Sequence, residues 1–271
     1  MAKVLVVTSG KGGVGKTTST AALGAALAQM EEKVVVVDFD VGLRNLDLVM
    51  GAERRVVFDL INVVQGVAKL SQALIRDKRL ENLWLLPASQ TRDKDALTEE
   101  GVGSIIADLR SKFDWVLCDS PAGIERGATL AMRFADEAVI VTNPEVSSVR
   151  DSDRIIGMLD SKTVKAEKGE RVGKHVLITR YDTARAARGE MLSIEDILEI
   201  LATPLLGIIP ESQDVLRASN VGSPVTLNNA ASAPARAYVD AARRLMGEAV
   251  TMMVPTERTG LMNRLLGRRA A

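Results

Sequence analysis

Ser9-Gly10-Lys11-Gly12-Gly13-Val14-Gly15-Lys16-Thr17-Thr18 decides the fold of this 271-residue chain. The stretch follows the apolar run Val4-Leu5-Val6-Val7 and opens an Ala- and Leu-rich helical pattern. Gly10 to Thr17 fits G-x-x-x-x-G-K-[ST], the loop between a strand and a helix that cradles phosphate. Its glycines, Gly10, Gly12, Gly13 and Gly15, let successive backbone N–H groups turn inward on either side of Val14. The helix N-terminus adds its positive dipole end. Lys16 is expected to reach the β- and γ-phosphates and the Thr17 hydroxyl to complete a Mg²⁺ shell, with Thr18 following in the first helical turn. Lys11 is a second lysine inside the loop, and the pattern does not require it.

Outward from the loop, short apolar runs alternate with helical patterns. The expected strands are Lys3–Thr8, Lys33–Asp38, Asn82–Pro87, Asp114–Asp119, Glu137–Thr142, Lys174–Thr179 and Leu206–Ile209. Most are apolar on both parities, as in a parallel sheet covered on both faces. Helices are expected over Thr17–Met30, Glu99–Lys112, Ser148–Leu159, Ser193–Ala202 and Ala235–Ala249. The fold class is therefore α/β, a doubly wound and mostly parallel sheet that binds ligands at the C-terminal strand ends. Residues 161–173 are polar and read as an exposed loop. The division expected is one domain over 1–250, a linker over 251–259 and an amphipathic segment over 260–271.

A phosphate loop does not hydrolyse anything alone; it needs a metal carboxylate and a group that positions water. Asp119 ends the apolar run Val116-Leu117-Cys118, and Ser120-Pro121-Ala122-Gly123 then turns the chain sharply. Asp38 and Asp40 stand at the end of Val34–Val37 and would point the same way if strand geometry continued to Asp40. One carboxylate could serve the metal shell and the other the attacking water.

Lys plus Arg and Asp plus Glu both number 35, so net charge predicts no polyanion partner, and aromatics at 3% weaken a base-stacking role. The single Cys118 lies in an apolar run and reads as a buried, inert thiol, and His175 heads a strand in a structural role. One cysteine also rules out an iron–sulfur cluster shared by two chains, which needs four thiolates. No apolar run of about 18 residues and no signal-peptide order is present, which leads to the expectation of a cytoplasmic protein.

The loop Lys11-Gly12-Gly13-Val14-Gly15-Lys16-Thr17 resembles the deviant Walker A (ParA/MinD) family of P-loop ATPases. The stretches Asp38–Asp47, Pro87–Leu97, Cys118–Glu125 and Asn143–Arg154 are similar to its division-site-placing branch, and the likeness covers nearly the whole chain. The resemblance implies an ATP-driven homodimer in which Lys11 enters the partner's site, in the manner of an arginine finger. It implies that Asp40 positions water, that Asp38 and Asp119 support Mg²⁺, and that Asn45 helps hold nucleotide or water. Glu145, Asp151 and Asn220 match positions near the dimer face, and Arg180 and Pro210 match adenine contacts. The partners implied are MinC, recruited to the membrane, and MinE, which stimulates hydrolysis and releases the dimer. The resemblance also places Pro144–Asp153 in a MinE-contacting region. The rival within the family is a ParA-like DNA- or cargo-partitioning ATPase, which would need a basic face. No specific nucleic acid is expected.

At the C-terminus, Leu261, Met262, Leu265 and Leu266 fall within roughly 140° on a helical wheel, with Arg264 and Arg268 beside that face. From Arg258 onward there are four arginines and no acid. This is the pattern of a helix lying in the surface of anionic membrane lipids, and the family's targeting helix occupies the same place. The expected location is cytoplasmic, and peripheral on the cytoplasmic face of the inner membrane in the ATP state.

Overall fold

The computed structural model describes residues 2–90 and 96–255. Eight strands form one sheet: β1 (Lys3–Thr8), β2 (Val34–Asp38), β3 (Ile75–Arg76), β4 (Leu83–Leu86), β5 (Trp115–Asp119), β6 (Glu137–Thr142), β7 (Gly173–Tyr181) and β8 (Leu205–Pro210). Their order is β3-β4-β2-β5-β1-β6-β7-β8, and every pairing is parallel except β3 with β4. β1 thus sits where the chain stops adding strands on one side and starts adding them on the other. This is the crevice in which open α/β sheets bind ligands.

The strands read as apolar on both parities because both faces are covered. Val7, Val36, Leu117 and Val141 enter one core layer, while their neighbours Val6, Val35, Cys118 and Ile140 enter the other. The first layer is closed by the Lys16–Gln29 helix, which lies on the sheet and against the Ala233–Leu245 helix, itself seated on β8. The alanines of the Lys16–Gln29 helix permit that close packing, and Gly24 is tightest: a Cβ there would lie 2.7 Å from Val36 Cγ1. The other layer is closed by helices that include Glu99–Arg110 and Val146–Lys162.

The five expected helices and seven expected strands are present, with ends displaced by a few residues. The span 161–173 is mostly exposed, as expected, but only part of it is loop. The Val146–Lys162 helix runs into it, Val164–Glu167 forms another turn of helix, and Thr163 and Val172 are buried. Thr163 makes this possible: its Oγ1 donates to the Leu159 carbonyl and accepts the Ala166 N–H. Strand β3 and the short helices Leu46–Val49, Leu60–Val64 and Gln213–Asn220 are additions that periodicity does not announce. Where the expected linker begins, Arg244 donates to the carbonyls of Val250 and Thr251, and Met252 packs on the core beside β7 and β8. The expected amphipathic segment, with Leu261, Met262, Arg264, Leu265, Leu266 and Arg268, lies outside the described residues. No described helix is long and apolar enough to cross a membrane.

Candidate functional site: a phosphate loop backed by buried carboxylates

The loop leaves β1 at Thr8 and enters its helix at Lys16. Gly13 and Gly15 adopt left-handed φ of +75° and +96°, which a side chain would strain. Gly10 is glycine for a different reason: a Cβ would lie 2.3 Å from the Asp151 carbonyl oxygen, so the Val146–Lys162 helix rests directly on the loop. Asp151, expected near a dimer face, therefore also touches its own chain's loop. On the other flank the Thr179 hydroxyl donates to the Val14 carbonyl at 2.7 Å, fastening the end of β7 to the loop.

The two lysines part company. Lys16 is buried, and its Nζ donates to Ser9 Oγ at 2.9 Å and to the Lys11 carbonyl at 3.4 Å. Burial pulls its pKa down, while the charges of Asp119 and Asp40 pull it back up. Lys11 points to the rim instead, where its Nζ meets Glu145 Oε2 at 2.7 Å and Ser147 Oγ at 3.1 Å. The Lys11 and Glu145 side chains are 39% and 54% exposed, so this pair stands in solvent. Donation from Lys11 holds the Glu145 carboxyl below its ordinary pKa. Asn143 Nδ2 steadies the other Glu145 oxygen at 2.7 Å, while the buried Asn143 Oδ1 has no hydrogen-bond partner among the described residues.

Strand order brings the carboxylates together. β5 lies between β2 and β1, and the register sets Asp38 beside Asp119 and Asp119 beside Val7. Both acids are buried. Desolvation raises the Asp119 pKa to about 6, against hydrogen bonds from Thr17 and Thr20. Thr20 Oγ1 lies 2.9 Å from Asp119 Oδ1. Burial first, and then the charge of Asp119, raise Asp38 well above the carboxylate range. Asp38 uses one oxygen on the Asp40 N–H at 2.8 Å and the other on the Leu46 N–H at 3.2 Å. It folds the segment that follows β2. The strand itself stops at Asp38, so Asp40 is placed by a turn and not by strand alternation. Asp40 is half-buried and close enough to Lys16, Asp38 and Asp119 to act on the charge of each.

Among the described residues no three His, Cys, Asp or Glu side chains gather as a metal cage. A Mg²⁺ ion does not need one, because it is held by one or two protein oxygens together with phosphate and water. A buried carboxylate beside a P-loop threonine, with glycine N–H groups above it, fits Mg²⁺ and a nucleoside triphosphate. A cavity of about 260 Å³ adjoins the loop, lined by Gly15, Thr18, Arg180, Pro210, Gln213 and Leu216. It brings the expected base contacts Arg180 and Pro210 to the loop. Asn45 is exposed at the start of the Leu46–Val49 helix, and Asn220 is exposed at the end of Gln213–Asn220. A larger open groove of about 1060 Å³ runs beside β8 between Asp182, Asp240 and Met252 and touches none of residues 9–18.

Sequence reasoning missed Ser9, Thr20 and Asn143. Thr20, one helical turn after Thr17, had a signal in its spacing. Ser9 and Asn143 had none: their partners Lys16 and Glu145 are near in the chain, but a lone serine or asparagine in a loop carries no pattern that shows how the loop turns it. His175 is structural as expected, set 3.1 Å from Glu137 Oε2, and burial pushes the Cys118 thiol up to about 12.

Residues 5–225 match the family described as the CobQ/CobB/MinD/ParA nucleotide binding domain. The chain is 60% identical over 270 residues to the septum site-determining protein MinD of Escherichia coli (strain K12), covering 98% of this chain and 100% of that protein. It is similar to a chain of the MinC:MinD cell division protein complex of Aquifex aeolicus, with TM-score 0.82, 43% identity and coverage of 96% and 100%. It is also similar to the septum site-determining protein MinD of Pyrococcus horikoshii OT3 solved with Mg-ADP, with TM-score 0.80, 31% identity and coverage of 92% and 100%.

Proposed function

This chain belongs to the CobQ/CobB/MinD/ParA nucleotide-binding family, in its septum site-determining branch, and we propose that it is an ATP-hydrolysing dimerisation switch that resides on the inner membrane in its ATP state. The observation that carries the proposal is the separation of the two lysines. Lys16 lies within its own phosphate bed, whereas Lys11 stands at the exposed rim on Glu145. A cation so placed can turn to a second copy facing it, and there neutralise charge that develops on a transferring phosphoryl group.

In this reading the loop N–H groups of Gly10 to Thr18 hold the phosphates, and Arg180 and Pro210 flank the base. Thr17 and Asp119 hold Mg²⁺, with Asp38 supporting them from the next strand. The metal, when bound, supplies charge neutralisation at the β- and γ-phosphates. Asp40 orients the attacking water, and Asn45 assists beside it. Glu145, Asp151 and Asn220 border the facing copy. A solved MinC:MinD complex of a 43% identical relative supports MinC as a partner. MinE, as the protein that releases the dimer, and anionic lipids complete the cycle.

One short amphipathic tail binds lipid weakly, because burying its four apolar side chains yields at most about 6–10 kcal/mol before ordering costs. Two tails held side by side can raise avidity by roughly 10²–10⁴. Dimerisation alone then couples nucleotide state to membrane residence. The test is sedimentation with anionic vesicles in ATP and in ADP, using the intact chain, a form lacking residues 260–271, and Lys11→Ala. The intact chain should pellet with ATP only; the other two should bind nucleotide yet stay in solution. Equal pelleting of the intact chain in ADP and ATP refutes the switch.

A further inference from the structure

Arg79 lies outside every motif described above, yet its guanidinium ties together two parts of the site that are far apart in sequence. Nη2 donates to the Met50 carbonyl at 2.9 Å and Nη1 to the Gly222 carbonyl at 3.1 Å. The fork is held from behind by Asp77, whose Oδ2 lies 2.7 Å from Nη2 and whose Oδ1 lies 3.2 Å from Nε. Asp77 is buried, and its Oδ1 also accepts the N–H groups of Arg79 and Leu80. Burial pushes its carboxyl up, but the Arg79 contacts win and leave its pKa below the ordinary value. Asp77 is the buried half of this pair and the Arg79 side chain is 35% exposed, so the bidentate geometry fixes the direction of the fork.

Beside this clamp the two tied segments meet backbone to backbone. Gly51 and Gly222 both have left-handed φ, +65° and +64°. A Cβ on Gly51 would lie 2.5 Å from the Gly222 oxygen, and one on Gly222 would lie 2.8 Å from Gly51 Cα. On one side, Met50 closes the Leu46–Val49 helix, which Asp38 anchors and which follows Asp40 and Asn45. On the other, Gly222 follows the Gln213–Asn220 helix, whose Gln213, Leu216 and Ser219 line the base-side cavity. The two helices pack on each other.

We propose that Arg79 is a positioning residue that locks the Asp40–Met50 segment to the helix lining the base-side cavity, so that seating the base sets the alignment of Asp40. This rests on the ATPase reading. Arg79 donates to carbonyls of the connecting backbone, and its part in turnover is indirect. Its loss should therefore lower kcat more than it raises KM, because the alignment matters in the transition state. It should also make turnover insensitive to which base is bound.

The experiment is steady-state hydrolysis of ATP and UTP by the full chain on anionic vesicles, well below each variant's unfolding midpoint. The unaltered chain should turn ATP over faster than UTP. Arg79→Met should lower kcat for ATP about tenfold, move KM less than about threefold, and bring the ATP-to-UTP ratio of kcat close to one. Arg79→Lys, which keeps the charge but cannot fork to both carbonyls, should fall between them and serves if Arg79→Met does not fold. Overturning results are an unaltered chain with equal kcat for the two bases, or an Arg79 variant that loses thermal stability while keeping parental kcat and base ratio. Lys16→Ala separates the two levels. If it still hydrolyses ATP, the site reading fails; if it does not while the Arg79 variants hydrolyse normally, only this inference fails.

Discussion

Replacing Asp119 with Asn should make this protein more stable at neutral pH while removing its metal-dependent chemistry. Asp119 is buried beside Asp38, and its pKa stands at about 6 against 3.8 for the free side chain. A carboxyl whose pKa rises on folding binds its proton more tightly in the native state. The contribution of Asp119 to stability is therefore greatest at low pH, falls as the pH rises from about 4 to about 6, and stays lower above that window. At 1.36 kcal/mol per unit, the difference between 3.8 and about 6 amounts to about 3 kcal/mol of native-state destabilisation at pH 7. The carboxamide introduced by Asp119→Asn keeps an oxygen to accept from Thr20 but adds an NH₂ that needs a partner, which costs about 1 kcal/mol. A net gain of about 1–3 kcal/mol at pH 7.5 follows. Removing the charge of Asp119 also relieves Asp38, so the titration belongs to the pair and not to one residue. The assay is urea unfolding of the nucleotide-free chain and of Asp119→Asn at several pH values between 4 and 7.5. The gain should shrink as the pH falls and vanish near pH 4, where both acids carry protons in the parent. An Asp119→Asn variant that is less stable than the parent at pH 7.5, or a gain that does not depend on pH, refutes this account of the buried pair.

Two further substitutions test the packing around the loop. Gly10→Ala puts a methyl 2.3 Å from the Asp151 carbonyl oxygen, so the loop and the Val146–Lys162 helix must move apart. It should cost about 1–3 kcal/mol in urea unfolding and weaken binding of a fluorescent ATP analogue at least tenfold, and parental affinity would show that the contact does not shape the loop. Tyr238 Oη and Ser19 Oγ lie 3.0 Å apart, both buried, between the first helix and the last described one. Tyr238→Phe should cost about 1–2 kcal/mol, and adding Ser19→Ala should recover part of it; strict additivity of the two changes would refute the pairing.

The phosphate loop, the strands flanking it and the acids at their ends were legible in the chain because each is a local pattern. A glycine series with lysine and threonine at fixed offsets, or an apolar run ending in aspartate, is complete within ten residues. The same holds for Lys11, visible as one cation too many. The short helices over Leu46–Val49 and Leu60–Val64 escaped because four or five residues span little more than one turn and show no period. Thr163 made a helix junction out of what composition presents as polar loop.

The order of strands, by contrast, is a property of how βαβ units stack, and no local pattern encodes it. Inserting β5 between β2 and β1 sets Asp38 beside Asp119 and raises both pKa values by burial. It leaves Asp38 bound to the backbone of its own segment while Asp119 faces Thr17 and Thr20. Only the assembled structure seats Asp151 on Gly10, draws Lys11 out to Glu145, and closes Arg79 over Met50 and Gly222. Ten consecutive residues suffice to say that this chain grips phosphate with one lysine to spare. Where that lysine stands, and which carboxylate faces the loop threonine, are settled by folding, because both depend on contacts between residues that are neighbours only after the sheet has formed.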